Sequence, residues 1–415
     1  MLSSPFTALF EYLRFPPGLS NPRGLRVLRR ALVVFLLLSF VSLFADITYE
    51  GARSISGPYL ELLGATLIVA GGVSVGELVS YVARFAGGLV VFWLASSTAY
   101  WALLILGYLI NLVAVPLLAL AGSWELAFTL YIVERVGKGF RVPIRDTILA
   151  EVSRGVGSGK VFAVHELLDQ IGGVAGPLIV AYVIASTGSY KPAFLVLAAP
   201  AIISIALLLT ASATYPRLRS ATKPTIGISK GLPWQFYVYT LAVALAMASY
   251  IHWGQASYML SQLGSYNVAV LYAIAMAVDG LAALPLGLAL DRWGLRVTVV
   301  LPLLALTSTL SLVELSNPLV FAILWGVTMG AVEVLTKATI PLMVKEEFRS
   351  VAYSILFIAM GAGWTIGNMA VAYLDPQSLK AIILVVASAA ASTLILLKLG
   401  EDRGYTGSPV KPSSF

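Results

Sequence analysis

The length of the apolar runs constrains this chain most. They fall at 31–53, 66–94, 99–121, 124–146, 160–187, 191–213, 235–255, 266–290, 297–316, 318–341, 351–374 and 378–399. Most approach or exceed ~20 residues, the length a helix needs to cross ~30 Å of hydrocarbon. Only 11% of the residues are charged and 59% are hydrophobic, too little polar surface to cover a soluble globule of this size. The segments lack the period-2 alternation of an outer-membrane barrel. The expectation is an all-α integral membrane protein with about twelve transmembrane helices.

The net charge of +7 follows topology and gives no reason to expect a nucleic-acid partner. Residues 1–30 form a basic leader with Arg14, Arg23, Arg26, Arg29 and Arg30. Within it Phe6, Phe10 and Leu13 suit one face of an interfacial helix. The first apolar run is long and has no small-residue cleavage site, unlike a removable signal. With the N-terminus in the cytoplasm, the inside connections hold Arg145, Arg154, Lys160, Arg217, Arg219, Lys223, Lys230, Arg292, Arg296, Lys345 and Arg349. The outside connections hold mostly Glu61, Lys191 and Asp375. This positive-inside bias places both termini in the cytoplasm and the protein in the plasma membrane, as an expected monomer. A Pro- and Gly-rich basic linker, 213–234, separates an N-terminal half (31–212) from a C-terminal half (235–399), with a tail at 400–415.

The halves read as a repeat. At an offset of 199, Gly88-Leu89 falls on Gly287-Leu288, and Glu134 and Lys138 fall on Glu333 and Lys337. Each acid–base pair is spaced i, i+4 and so shares one helix face. Membrane transporters are commonly built from such repeats, with the substrate site between the halves near the midplane.

Spans eight and nine are joined by GLALDRWGLRV, beginning at Gly287. This resembles the G-x-L-x-D-R-x-G-x-R signature of the major facilitator superfamily, matched by Gly287, Asp291, Arg292, Gly294 and Arg296. In span five, Gly172, Gly176 and Pro177 resemble the core of a motif carried by exporters of that superfamily, although Val180 and Ala181 replace its following glycine pair. The small-xxx-small spacing suits close helix packing. ERVGKGFRVPIRD, from Glu134, is similar to the fourth span of many prokaryotic members. The resemblance implies two six-helix halves working by alternating access, of the drug/proton-antiporter kind. It also implies a cytoplasmic latch, in which Asp291 and Arg292 meet the inner end of span five near Glu166. The repeat offset places Phe92 and Trp93 where the second latch would carry its acid and base. Loss of that latch predicts a resting bias toward inward-facing forms.

Charges inside the spans mark function by default. FADITYEGARSISGPYL puts Asp46 and Glu50 one turn apart near the outer half of span one, with Arg53 one turn further. Two carboxylates in low dielectric oppose each other's ionisation, as a proton- or cation-binding site requires. Asp46, Glu50, Asp169 and Asp279 are the coupling candidates; Arg53 also suits a structural pairing with Glu50. Glu77 and Arg84 in span two, Glu134, Arg135 and Lys138 in span four, and His165 and Glu166 in span five are further buried charges, each equally suited to holding helices together. Tyr49, Tyr250, Trp253 and Trp364 suit a pocket lining, and His252 an interfacial hydrogen bond. In the N-terminal half the deep acids Asp46, Glu50, Glu77, Glu134, Glu166 and Asp169 outnumber the bases Arg53, Arg84, Arg135 and Lys138, which points to cationic or neutral amphipathic substrates.

The chain has no Cys and two His. It shows no phosphate-binding glycine loop and no firm metal-ligand spacing, so no cofactor, metal or catalytic set is expected. The energy source expected is a proton gradient, and the function expected is proton-coupled export of small organic molecules. Import of a nutrient, or of a metal cation on Asp46, Glu50 and Asp169, is the alternative on the same fold. A non-transporting sensor or scaffold is the alternative of another class.

Overall fold

The computed structural model describes residues 22–94, 96–153, 158–215, 218, 231–264, 267–314 and 317–401. Most of the expected leader, linker and tail, together with Arg154, lies outside them. Among the described residues the regular structure is entirely helical. The helices are α1 (Pro22–Ser54), α2 (Leu67–Gly72 and Val75–Leu94), α3 (Ser97–Leu117), α4 (Trp124–Ser153), α5 (Ser158–Thr187) and α6 (Tyr190–Val196 and Ala198–Thr214). The second half follows with α7 (Trp234–Ala248 and Trp253–Gln262), α8 (Val268–Trp293), α9 (Val300–Val313), α10 (Pro318–Met343), α11 (Arg349–Leu374) and α12 (Leu379–Glu401). Among the described residues ten stretches are long and apolar enough to cross a membrane. One of them, Val268–Val313, holds both α8 and α9, and α4 falls outside the ten because it carries many charges. The twelve-helix expectation therefore stands.

Helix ends differ from the apolar runs for local reasons. α1 is helical from Pro22, the first described residue, upstream of the run at 31. α4 continues to Ser153 although hydrophobicity ends near 146. α8 ends where Gly294 adopts φ 62°, a conformation that costs glycine little. The α8–α9 connection is then a 3-10 turn, Gly294–Val299.

The run at 235–255 is not one helix. α7 stops at Ala248 and resumes at Trp253. Unpaired backbone at membrane depth is costly, so other groups must satisfy it. The Ile251 N–H donates to Thr309 Oγ1 at 3.0 Å and the His252 N–H to Asn368 Oδ1 at 2.6 Å. The Tyr250 carbonyl accepts from Trp364 Nε1 at 2.8 Å and Asn368 Nδ2 at 3.0 Å, and the Ile251 carbonyl from Trp325 Nε1 at 3.0 Å. Side chains of α9, α10 and α11 thus hold the break open.

Each half has its own apolar core, one built mainly from α1–α6 with Ala269 of α8 and one from α7–α12. Leu281, Leu284 and Leu288 of α8 are exposed along one stripe, as a lipid-facing helix requires. The halves touch through α5 with α8 and α2 with α11. They also meet where the end of α1 and the short helix Ser56–Leu62 face the second segment of α7, and there the contacts obey the repeat. Trp253 Nε1 donates to the Ser54 carbonyl at 3.1 Å, and Arg53 Nη2 lies 3.4 Å from His252 Nε2; both pairs are 199 residues apart. The Gly57 N–H donates to Ser257 Oγ at 3.1 Å, and Ser261 Oγ to Glu61, each 200 apart. Equivalent positions can meet one another only on the axis relating the halves, so this seal sits on the pseudo-two-fold.

Candidate functional site

A cavity of about 560 Å³ lies between the halves. At its sealed end it is floored by buried Trp325, Trp364, Arg53 and Glu77. At its other end it is lined by exposed Glu166 and Lys337 and by Asp146, whose side chain is 45% exposed. It therefore opens toward the side that carries the α8–α9 connection.

One wall is a ladder between α1 and α4. Helical periodicity puts Ser42, Asp46, Tyr49, Glu50 and Arg53 of α1 on one face. The same periodicity aligns Glu134, Lys138, Arg141 and Arg145 of α4. The helices run antiparallel, so their rows match rung by rung. Lys138 Nζ is 3.6 Å from Glu50 Oε1, Arg141 Nη2 is 4.0 Å from Asp46 Oδ1, and Arg145 Nη1 donates to Ser42 Oγ at 3.1 Å. The Tyr49 ring lies under three cations, with Lys138 Nζ 4.1 Å from its centroid and the Arg135 and Arg141 guanidinium carbons at 5.5 and 5.4 Å. At the deep end Arg53 reaches Glu77 at 2.9 Å and Glu50 at 3.7 Å. Tyr272 of α8 donates to Glu50 Oε2 at 2.5 Å, which ties the ladder to the second half.

α5 is close to α1 because both contribute glycine. A Cβ at Gly172 would meet the Leu43 carbonyl and the Asp46 side chain, and one at Gly176 the Ile47 backbone and Gly51. The Gly172–Gly176–Pro177 element therefore lets Asp169 approach the ladder. Its Oδ2 is 3.6 Å from Arg145 Nη1 and 3.7 Å from His165 Nε2. His165 is buried between Ser39 at 3.4 Å and Ser42 at 3.5 Å. Asp46 Oδ1, Asp169 Oδ1 and Arg141 Nε and Nη1 are buried without a hydrogen-bond partner. Such groups cost roughly 1–3 kcal/mol each when left unsatisfied, so this is where a proton or ligand gains most.

The structure brings Asp46, Tyr49, Glu50, Arg53, Glu77, Glu166, Asp169 and Trp364 to one cavity. It moves other expected residues elsewhere. Asp279 is fully buried at the α8–α10 seam, where its Oδ1 lies 3.2 Å from a Cβ built on Gly330; it does not line the cavity. Glu134 and Arg135 stand behind the wall, paired to each other at 2.9 Å, with Arg135 also 3.7 Å from Glu77 and Asn111 donating to Glu134. Tyr250 and Trp253 belong to the α7 break and the seal. Tyr250 stacks on Trp364, and the Trp253 ring packs on Tyr272 and Trp325. His252 is likewise buried in the seal rather than interfacial. Asp291 and Arg292 are exposed, and among the described residues Asp291 makes no hydrogen bond or ion pair with Glu166 or any other group. Arg296 Nε donates to the Gly400 carbonyl at 3.4 Å. The latch is apart in this arrangement, as a cavity open on that side demands. Trp93 is exposed, and the side chain of Phe92 lies outside the described residues.

Sequence reasoning passed over Arg141 and Arg145 as deep charges, and with them the charge balance. Arg141 is 1% exposed and faces the Tyr49 and Tyr108 rings. In the lining, the seven carboxylates of Asp46, Glu50, Glu77, Asp146, Glu166, Asp169 and Glu333 face the six cations of Arg53, Arg84, Lys138, Arg141, Arg145 and Lys337. The acid excess that pointed to cationic substrates shrinks to one. Among the described residues no group of three potential ligands is placed to hold a metal. Asp46, Glu50 and Asp169 each face a basic side chain instead.

Known proteins resemble the chain in sequence and in fold. Residues 231–413 match the family described as Major Facilitator Superfamily. Uncharacterized protein Rv2265 of Mycobacterium tuberculosis (strain ATCC 25618 / H37Rv) is 36% identical over 371 residues, covering 86% of this chain and 90% of that one. Uncharacterized protein Mb2288 of Mycobacterium bovis matches to the same extent. Among solved structures, the peptide transporter POT in complex with sulfate superposes with a TM-score of 0.72 at 13% identity, covering 88% of this chain and 95% of that one. The nucleoside transporter NupG gives 0.65 at 13% identity, with 88% and 98% covered. A bacterial homolog of the human lysosomal transporter Spinster, inward-facing and unoccupied, gives 0.61 at 13% identity, with 89% and 94% covered. With its twelve helices, its repeat-related seal and the central cavity between its halves, the chain has the fold of these transporters, and its second half matches the Major Facilitator Superfamily.

Proposed function

We propose that this protein is a proton-coupled secondary transporter that exports a small organic solute by alternating access. The observation that carries the reading is the cavity itself. It is closed at one end by contacts between the halves and open at the other. It holds two carboxylates, Asp46 and Asp169, each near an arginine and each with one oxygen that has no hydrogen-bond partner. A carboxylate in such a place can exchange a proton for its arginine contact as access switches. Glu50 links the α1–α4 ladder to Tyr272 of the other half, so a change of charge on the ladder bears on how the halves meet. The exporter-like Gly172–Pro177 element supports the outward direction.

A substrate screen in proteoliposomes with an imposed pH gradient tests the reading. Solute movement that follows the gradient and stops with a protonophore is the expected result. Absence of gradient-dependent flux for every compound would leave a sensor or scaffold on this fold.

A further inference from the structure

The charges deep in the cavity are committed to one another. Arg53, Lys138, Arg141 and Arg145 each lie within 4.0 Å of a carboxylate. Nearer the mouth the pattern changes. Among the described residues Arg84, Lys337, Glu166 and Glu333 line the cavity without an ion pair.

Arg84 is held in a particular way. Its guanidinium carbon lies 5.6 Å from the Tyr81 ring centroid and 5.5 Å from that of Phe357. The two rings stack on each other at 5.4 Å. Tyr81 comes from α2 and Phe357 from α11, so both halves build this seat. Ring faces attract the cation but accept none of its in-plane hydrogen bonds in the way an oxygen does. Arg84 Nε is buried without a hydrogen-bond partner. With no hydrogen bond or ion pair to Arg84 among the described residues, this guanidinium, anchored on aromatic faces, has donors left for a carboxylate, which takes such a fork in bidentate fashion.

The opposite pole is acidic. Glu333 of α10 and Glu166 of α5 line this part of the cavity, with Lys337 as the local base. Glu333, Glu166, Arg84 and Tyr81 all line the same cavity, so the two poles share one volume.

We infer that the mouth half of the cavity is a two-pole site for a small zwitterionic organic molecule, with its carboxylate on Arg84 and its cationic group on Glu333 and Glu166. This rests on the transporter reading and gives it a substrate class. Tyr81 and Phe357 supply apolar contact for the body of the molecule. A bound carboxylate would load a seat shared by both halves, which gives the ligand different contacts before and after they move.

The test is equilibrium binding to the purified full-length chain, so it does not depend on flux. The probes are amino acids, short peptides and betaines. Each amino acid and peptide is paired with its carboxamide, which keeps only the cation, and its N-acetyl form, which keeps only the anion. At least one zwitterion should bind about tenfold or more tighter than both partners, the effect of one charge-assisted contact. Arg84→Gln should erase the preference over the carboxamide and leave carboxamide affinity within about twofold, because that partner never used the arginine. Glu333→Gln should erase the preference over the N-acetyl form. Ligand-free melting curves report folding; if Arg84→Gln fails to fold, Arg84→Lys and Phe357→Leu carry the same comparison. A best ligand whose carboxamide binds equally well, a preference unchanged by these substitutions, or no binding across the panel would overturn the inference. Gradient-driven flux of a non-zwitterion would overturn it while leaving the transporter reading intact.

Discussion

Gly57 offers a direct lever on alternating access. It lies in the short helix Ser56–Leu62 after α1, at the centre of the seal. A Cβ built there would strike the Tyr258 backbone nitrogen, the Ser257 hydroxyl and the Gly254 carbonyl, well inside contact distance. Two of these atoms are backbone, so no rotamer change relieves the clash. Gly57→Ala must force the ends of α1 and α7 apart or distort them. Overpacking of this kind costs ~1–3 kcal/mol. The Gly57 N–H bond to Ser257, now 3.1 Å, would be lost with it, for another ~0.5–1.5 kcal/mol. The sealed form should therefore lose roughly 1.5–4.5 kcal/mol against the form with the seal open, a shift of at least about tenfold. The chain has no native cysteine, so spin labels can be placed at Leu62 and Leu263, exposed residues on the two sides of the seal. Distances between them should lengthen and broaden in Gly57→Ala. Gly122→Ala, where an added Cβ meets nothing, serves as the control. A distance distribution identical to wild type in Gly57→Ala would mean that this contact does not set the gate.

Other predictions bear on coupling, the helix break and topology. Asp46→Asn should abolish uphill transport while solute exchange continues, because exchange needs no net proton movement; normal uphill transport in the variant would shift the proton to Asp169. Asn368→Ala removes the acceptor of the His252 N–H and a donor to the Tyr250 carbonyl. It should destabilise the second half by about 2–4 kcal/mol, read as a fall in melting temperature, and an unchanged melting curve would mean that water replaces the amide. A cysteine at position 223, in the linker outside the described residues, should react with an impermeant thiol reagent only from the cytoplasmic side; labelling from outside intact cells would reverse the topology.

What could be read directly was whatever a single helix determines. Run length set the number of spans, because the bilayer fixes the length of helix that each crossing needs. The i, i+4 spacing of Asp46 and Glu50 set their shared face. GLALDRWGLRV and the 199 offset marked the fold, and Gly294 with its positive φ stands where a tight turn demands it. Even Arg141 and Arg145 were within reach, since 134, 138, 141 and 145 trace one helical face inside the run at 124–146; Arg145 was counted with the inside connections, whereas α4 continues to Ser153.

Tertiary structure alone decided how the faces pair. Nothing in α1 states that Glu50 lies level with Lys138 and Asp46 with Arg141; that register depends on α1 and α4 lying side by side. The α7 break was hidden for the same reason. Its backbone is satisfied by Thr309, Trp325, Trp364 and Asn368, from three other helices. Asp279 looked like a coupling residue because depth can be counted along a span, but whether a deep residue faces a cavity or a seam cannot. The committed and free charges were likewise indistinguishable in the sequence, because an ion pair is a distance between helices, and only packing sets that distance.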